Sequence, residues 1–178
     1  TNALWIGGLN DTNGIHLAGE RFNGFDFQPG PVSNRYDSAF FWNWYKTWKL
    51  NREDVEYHRN NWWKAGYEPI ENITEWPGNG NPEYGQSDQL APYYDRDNNN
   101  FYEPLKGDYP LIRGDQCIFF ITNDDKIHSE TGGPPMQVEI HGMAYGFDAP
   151  NDSILNNTIF MHYDLINRST ISYQETYF

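Results

Sequence analysis

Oxygen-bearing side chains recur at alternate positions in the run Asp95-Arg96-Asp97-Asn98-Asn99-Asn100-Phe101-Tyr102-Glu103. A hard cation such as Ca2+ takes about six to eight oxygens, and a loop wrapped around it offers alternate side chains plus one backbone carbonyl. Asp95, Asp97 and Asn99 suit the side-chain roles, and Phe101 suits the carbonyl. Asn100 stands where such loops usually turn on Gly, and Asn is the next most tolerant of left-handed backbone. Lys106 occupies the place of the closing Glu of an EF-hand, and Pro104 and Pro110 forbid flanking helices, so this is no EF-hand. Glu103 or Asp108 must supply the closing carboxylate. The competing reading is a solvated Asp/Asn turn, and the regular spacing favours Ca2+.

Other residues of chemical character are more scattered. Glu139 and His141 share one strand face, and His162 and Asp164 share another, with His128 and Glu130 nearby in sequence. If those strands pair with matching faces, a His/carboxylate metal or acid–base cluster results; otherwise these are ordinary polar residues. That cluster, or one of the many carboxylate pairs, would make the chain a hydrolase fragment, the least favoured function. Nucleophile-elbow, phosphate-loop, zincin and Cys–His patterns are absent from the sequence. Arg113-Gly114-Asp115 leads directly into a strand and reads as a turn. Trp42, Trp44, Trp62, Trp63 and Trp76 offer flat faces on which sugar rings stack, the basis of a carbohydrate-binding alternative; alternate aromatics on a strand more often pack inward. The single cysteine, Cys117, lies in an apolar run and reads as a buried, inert thiol.

These residues need a scaffold, and composition says which kind. Aromatics make up 17% of the 178 residues, amid many Gly, Pro and Asn. That profile describes a mainly β, loop-rich chain, an antiparallel β-sandwich or jelly-roll-like module with a long irregular insertion and one short helix. Strand candidates are Ala3–Ile6 and Gly14–Ala18 around an Asn13-Gly14 turn, then Ala39–Leu50, Gln116–Thr122, Gln137–Phe147, Thr158–Asn167 and Thr170–Tyr177. In the penultimate one the alternation predicts Ile159, Met161, Tyr163 and Leu165 inward. Asn23 to Asn34 reads as loop. Asn51 reads as the N-cap of a helix running to about Asn60, with Glu53 and Asp54 in its first turn. Residues 65–112 hold Pro69, Pro77, Pro82, Pro92, Pro104 and Pro110 and no period. A structureless stretch this long must be pinned, and a metal ion is one way.

Twelve basic residues against 25 acidic ones give a net charge of −13, which repels phosphate backbones and anionic membranes, so nucleic acid is excluded as a partner. No apolar run approaches the ~20 residues of a membrane span. Strand-like sequence at both ends reads as cuts within a longer protein, with residues 1–178 forming one β-rich module.

One set of motifs runs in order along the chain. It comprises Leu4-Trp5-Ile6-Gly7-Gly8-Leu9, the Asp95 loop through Gly107-Asp108-Tyr109-Pro110-Leu111-Ile112-Arg113-Gly114-Asp115-Gln116, and Asn123-Asp124-Asp125. Glu130-Thr131-Gly132-Gly133, Glu139-Ile140-His141-Gly142-Met143-Ala144-Tyr145, Asn157-Thr158-Ile159-Phe160 and Ile166-Asn167-Arg168-Ser169 complete it. Together they resemble the N-terminal region of large secreted Bacteroidota proteins that carry a C-terminal type IX secretion sorting domain. The resemblance implies export and surface display, without a defined activity. In that family the loop usually reads Asp-x-Asn-Gly-Asp-Gly; here Asn98, Asn99 and Asn100 replace Gly-Asp-Gly, removing a carboxylate and weakening any Ca2+ site. Asp37-Ser38-Ala39 and Asp152-Ser153-Ile154 match the short O-glycosylation signal of exported proteins of that group, which makes Ser38 and Ser153 candidate acceptors. Asn72-Ile73-Thr74, Asn156-Asn157-Thr158 and Asn167-Arg168-Ser169 match the N-glycosylation pattern, idle in a bacterium.

The expectation is therefore a non-catalytic, secreted or cell-surface module with a structural or adhesive role and a long loop held by Ca2+. Its partners would be other surface proteins or glycans, with assembly into a larger surface complex.

Overall fold

A computed structural model of the protein describes residues 3–21 and 24–178. The chain is mainly β, as composition implies, and every strand pairing with an assigned register is antiparallel. Packing of the chain divides it into two compact units, Thr1–Tyr45 with Ile121–Ile140 and Asp164–Phe178, and Lys46–Phe120 with His141–Tyr163.

In the first unit β1 (Trp5–Leu9) and β2 (Ile15–Gly19) form the expected hairpin, with Gly7 opposite Leu17. Its turn is built by Asn10, whose Oδ1 accepts from Thr12 N and Gly14 N at 3.0 and 2.7 Å, while Asn13 takes the left-handed conformation at φ 58°. The last strand, Gln174–Tyr177, is shorter than expected and pairs with β1. Within the Asn23–Asn34 segment, whose Asn23 lies outside the described residues, Gln28–Pro29 forms β3.

The predicted strand Ala39–Leu50 is a correction. Ser38–Trp44 is a helix, α1, and only Trp48–Asn51 is strand, β4. Asp37 caps α1 by accepting from Phe40 N at 2.9 Å, and Phe40 is buried while Trp42 points to solvent. Phe40 and Trp44, one helical turn apart, press on Gly30, where an added Cβ would lie 2.8 Å from the Phe40 ring and 2.6 Å from Trp44. A capping Asp and an i,i+4 aromatic pair outweigh an alternation that aromatic residues throughout the segment make ambiguous.

In the second unit β4 pairs with β7 (Gln116–Asn123), placing Trp48 opposite Phe119 and Leu50 opposite Cys117. These four, with Val55, Ile73 and Trp76, are buried. The predicted short helix is α2, Arg52–Arg59, with Asn51 at its N-cap position; Asn51 makes no capping bond, because its Oδ1 accepts from Gln116 Nε2 instead. β8 (Val138–Gly146) and β9 (Phe160–Asn167) continue the sheet in the order β7-β8-β9, so β9 is an edge. Of its predicted inward set only Tyr163 is half-buried, edge-on to Phe120 at 6.4 Å. Ile159, Met161 and Leu165 are exposed, because Phe160 turns in to stack on Tyr145 at 5.4 Å.

Residues 65–112 are held by side-chain anchors. Short elements interrupt the stretch: a helix Glu71–Thr74, 3-10 turns Pro82–Tyr84 and Pro104–Lys106, and two-residue strands β5 (Tyr93–Tyr94) and β6 (Tyr109–Pro110). Trp76 Nε1 donates to Pro92 O at 3.0 Å, Tyr102 OH to Ile73 O at 2.6 Å, and Trp48 Nε1 to Glu75 O at 2.6 Å. Each buries a ring and satisfies a backbone carbonyl in one contact, which is how an irregular stretch meets its polar obligations.

Candidate metal-binding loop

The Asp95 loop spans the gap between β5 and β6, whose ladder pairs Tyr93 with Pro110 and Tyr94 with Tyr109. The Tyr94 and Tyr109 rings stack at 4.8 Å across the ladder. Residues 95–108 therefore leave and re-enter a fixed base.

Asp108 closes that base from inside. It is 1% exposed, its Oδ1 accepts from Arg96 N at 2.9 Å, and its Oδ2 accepts from Glu103 N at 2.7 Å. Both oxygens are committed to backbone amides, so Asp108 staples the two limbs of the loop and faces away from a cation role. His58 supports it from α2, donating from Nε2 to Asp108 O at 2.8 Å and accepting at Nδ1 from Tyr67 OH at 3.0 Å. Burial holds the His58 imidazole below its ordinary pKa, only partly opposed by the Asp108 carbonyl, and so in its neutral form. At the same corner the Arg96 guanidinium lies 5.0 Å over the Trp62 ring, and Gly107 adopts φ 99° with no room for a Cβ between them.

The outer loop converges on Asn99. Asp95 Oδ1 accepts from Asn99 N at 3.3 Å and its Oδ2 from Asn100 N at 2.7 Å. Asn99 Nδ2 donates to Asp97 Oδ2 at 3.1 Å and to Glu103 Oε2 at 2.8 Å, while its Oδ1 accepts from Phe101 N at 2.8 Å. Asn98 and Asn100 supply the left-handed turns, at φ 56° and 62°. Burial alone would raise the Asp95 carboxyl, but the amides of Asn100, Asn99 and Asn98 hold it below its ordinary value. Hydrogen bonds from Lys106 and Asn99 do the same for Glu103. Lys106 Nζ sits 2.7 Å from Glu103 Oε2 and competes for that carboxylate.

The predicted ligands are thus divided. Asp95, Asp97, Asn99 and Glu103 come together at the loop's outer side, whereas Asp108 is interior. Phe101 offers its N–H to Asn99, and its ring is exposed. Among the described residues no three His, Cys, Asp or Glu side chains converge closely enough to hold a metal unaided. The donor set that fits a hard cation therefore needs the Asn99 amide as a member.

Comparison with protein-family models, with curated proteins and with solved structures gives no match. The reading of the site rests on its own residues.

The remaining sequence candidates are placed as follows. The tryptophans of the second unit form no common platform. Trp76 is 3% exposed and packs on Phe119 at 5.0 Å; Trp62 has Arg96 over its ring and Trp63 edge-on; Trp42 and Trp44 belong to the other unit. At the end of α1, however, Trp42 is 84% exposed and Tyr45, the residue that caps the helix, 82% exposed, three positions apart. Ser38 and Ser153 are exposed, each the first helical residue after a capping Asp. Asp152 accepts from Ile154 N and Leu155 N, so both Asp-Ser pairs have a capping function. Among the described residues no three of the His/carboxylate candidates converge closely enough to hold a metal. Glu139 is buried, accepting from Val32 N and Arg168 at 2.8 Å each, His141 lies edge-on to Phe119, and His162 meets Arg113 at 3.3 Å. Cys117 is free and buried, and burial pushes its thiol up to about 11, which leaves it inert.

Sequence reasoning overlooked two buried polar hubs, Asp26 and Asp124. Asp124 Oδ1 accepts from Val138 N at 2.7 Å and Oδ2 from Met136 N at 2.6 Å, turning the chain into β8. The Asn123-Asp124-Asp125 run was the available signal.

Proposed function

We propose that this chain is a non-catalytic module of a secreted, surface-displayed protein, with a structural or adhesive role, whose Asp95 loop is stiffened by Ca2+. The observation that carries the reading is the bridging of Asp97 and Glu103 by the Asn99 side-chain amide, with Asp95 accepting the Asn99 backbone amide beside them, at the mouth of a stapled loop. The two ends of a side-chain amide differ only by a flip. Turning the Asn99 amide over gives up the bond from Phe101 N and replaces a donor between Asp97 and Glu103 with an oxygen, giving the hard, all-oxygen set that Ca2+ prefers. Asp95, Asp97, Asn99 and Glu103 would hold the ion, with the Phe101 carbonyl as the backbone contribution. The missing carboxylate and the competing Lys106 suit the weak affinity range of extracellular modules, about 10⁻⁴ to 10⁻³ M. Surface display follows from the resemblance to exported Bacteroidota proteins, and the exposed Trp42 and Tyr45 of the first unit agree with contact-making work.

The test is thermal unfolding of the intact chain in excess Ca2+ and in excess chelator. An ion that binds only the folded state at a hundred times its dissociation constant adds about 2.7 kcal/mol. For a chain of this size that is a rise in Tm of about 5–10 °C. Asp97→Ala removes the difference. Equal melting in Ca2+ and chelator for the unsubstituted chain rules the ion out.

The Trp42/Tyr45 pair favours a second reading, glycan binding at the end of α1, since two exposed rings three positions apart offer a stacking surface. A glycan screen showing binding lost in Trp42→Ala would support it.

A further inference from the structure

His128 lies in the first unit with no exposed side-chain surface, and so do its neighbours Asp26 and Asp124. Its Nδ1 is 2.9 Å from Leu17 O on β2, and its Nε2 is 3.0 Å from Asp124 O. A carbonyl oxygen accepts and never donates, so each contact requires a proton on the facing ring nitrogen. A neutral imidazole carries one N–H, and its bare nitrogen would face an oxygen at contact distance in a buried site. Only the imidazolium satisfies both.

We propose that His128 is held as a buried imidazolium whose extra proton serves as a structural ion, tying β2 to the segment Asp124–Val138, and that loss of this proton opens the tie. The surrounding charges fit the role. Asp124 Oδ2 lies 3.4 Å from Nε2, and Asp26 Oδ2 3.9 Å from Nδ1. Asp26 is fixed as an anion by Gly19 N at 3.0 Å, Thr131 Oγ1 at 2.7 Å and Glu130 N at 2.8 Å. A buried charge persists only where paired charges and hydrogen bonds replace its water, and here both are present. Burial by itself would strip the proton, yet the Asp124 side chain and the carbonyls of Asp124 and Leu17 more than offset it, and the group sits above its ordinary pKa.

Other titratable groups close to this knot work through different contacts. Glu130 pairs with Arg21, and Glu20 feels Lys126 and Asp26. Tyr173 donates to Met136 O and faces His16, Asp125 takes the Tyr36 hydroxyl, and Lys126 gives its amide to Asp124 O. The Leu17 carbonyl also faces Thr131 Oγ1 at 2.9 Å and the Asp124 carbonyl also receives Lys126 N at 2.8 Å, but neither donor relieves a bare ring nitrogen set against a carbonyl oxygen.

The experiment is side-chain nitrogen NMR of the intact chain, with hydrogen exchange at the Gly19, Glu130, Met136 and Val138 amides followed against pH. At neutral pH both ring nitrogens of His128 carry protons, whereas His58 carries one, and His128 gives up its second proton only above the ordinary imidazole value of about 6.5. As it does so, exchange at those four amides accelerates beyond what rising hydroxide dictates, while amides at Trp48 and Phe119 in the other unit follow hydroxide alone. His128→Gln, with a single donor group, abolishes the step. A neutral His128 at pH 7, or exchange at the four amides that tracks hydroxide alone, overturns the proposal. The NMR result stands even if the variant does not fold.

Discussion

Replacing Asp108 with Ala separates a structural carboxylate from a metal ligand. Asp108 accepts two backbone amides, Arg96 N and Glu103 N, at 2.9 and 2.7 Å in a buried position. Hydrogen bonds to a charged group are each worth about 1.5–3 kcal/mol net. Truncation removes both and leaves two donors facing a void, although water reaches the partly buried Arg96 and Glu103 amides more easily than a sealed core. A loss of about 3 kcal/mol is therefore expected, or roughly 6–12 °C in Tm for a chain of this size. Asp108→Asn keeps one oxygen and sets an NH2 group against the second amide, so it recovers less than half. The assay is thermal unfolding by far-ultraviolet circular dichroism, run in Ca2+ and in chelator for each variant. The staple predicts the same loss under both conditions. A large loss in Ca2+ with almost none in chelator would make Asp108 a ligand and sink the assignment.

Three further outcomes follow from the same geometry. Trp76→Ala, which empties a packed site against Phe119 and orphans Pro92 O, lowers stability by about 3–5 kcal/mol, while Trp42→Ala stays within about 0.5 kcal/mol; urea unfolding of both compares them directly. Gly142→Ala places a methyl 2.2 Å from the Phe120 ring and costs about 1–3 kcal/mol by the same assay; an unchanged midpoint would mean that the ring moves freely. The two buried histidines give stability opposite pH slopes. The raised pKa of His128 means that the folded chain holds more protons than the unfolded one, so its contribution is complete below about pH 6.5 and fades as pH rises through the folded value. The lowered pKa of His58 means the reverse, a contribution present above about pH 6.5 and lost as pH falls through its folded value. Residue-level exchange against pH reads the two separately, and slopes of the same sign would contradict one of the two assignments.

Strands that are buried on at least one face were legible, because alternation and β-branching in Gln116–Asn123 admit few other structures. The β1–β2 hairpin was legible because Asn13-Gly14 specifies its turn. Helix α2 was legible from its acidic first turn. Where the aromatic content is high the signal degrades. Phe40, Phe41, Trp42 and Trp44 satisfy a period of two as well as a period of four, and only the Asp37 cap, with Gly30 accommodating Phe40 and Trp44, decides for a helix. At the edge strand β9, alternation states that two faces differ without stating which is buried, and the ring of Phe160 on Tyr145 settles it.

The polar chemistry was legible as composition and illegible as pairing. Spacing alone treats Asp95, Asp97, Asn99, Glu103 and Asp108 as five equivalent oxygens along one loop. The fold sorts them by what their oxygens already accept: Asp108 takes two backbone amides at the buried base, Asp95 takes the Asn99 and Asn100 backbone amides in the outer turn, and Asp97 and Glu103 share the Asn99 side-chain amide. The same sorting makes Asp124 and Asp26 structural anions and turns His128 from a solvent histidine into a buried cation. A fully buried carboxylate whose lone pairs already receive backbone donors is held by the fold and has little left for a ligand, whereas an exposed one whose partners are side-chain amides can exchange them for a cation by a rotation of the amide. On that criterion Asp97 and Glu103, bridged by Asn99 Nδ2, are the places where added Ca2+ acts, and Asp108 and Asp124 are the places where a substitution acts whether or not the ion is there.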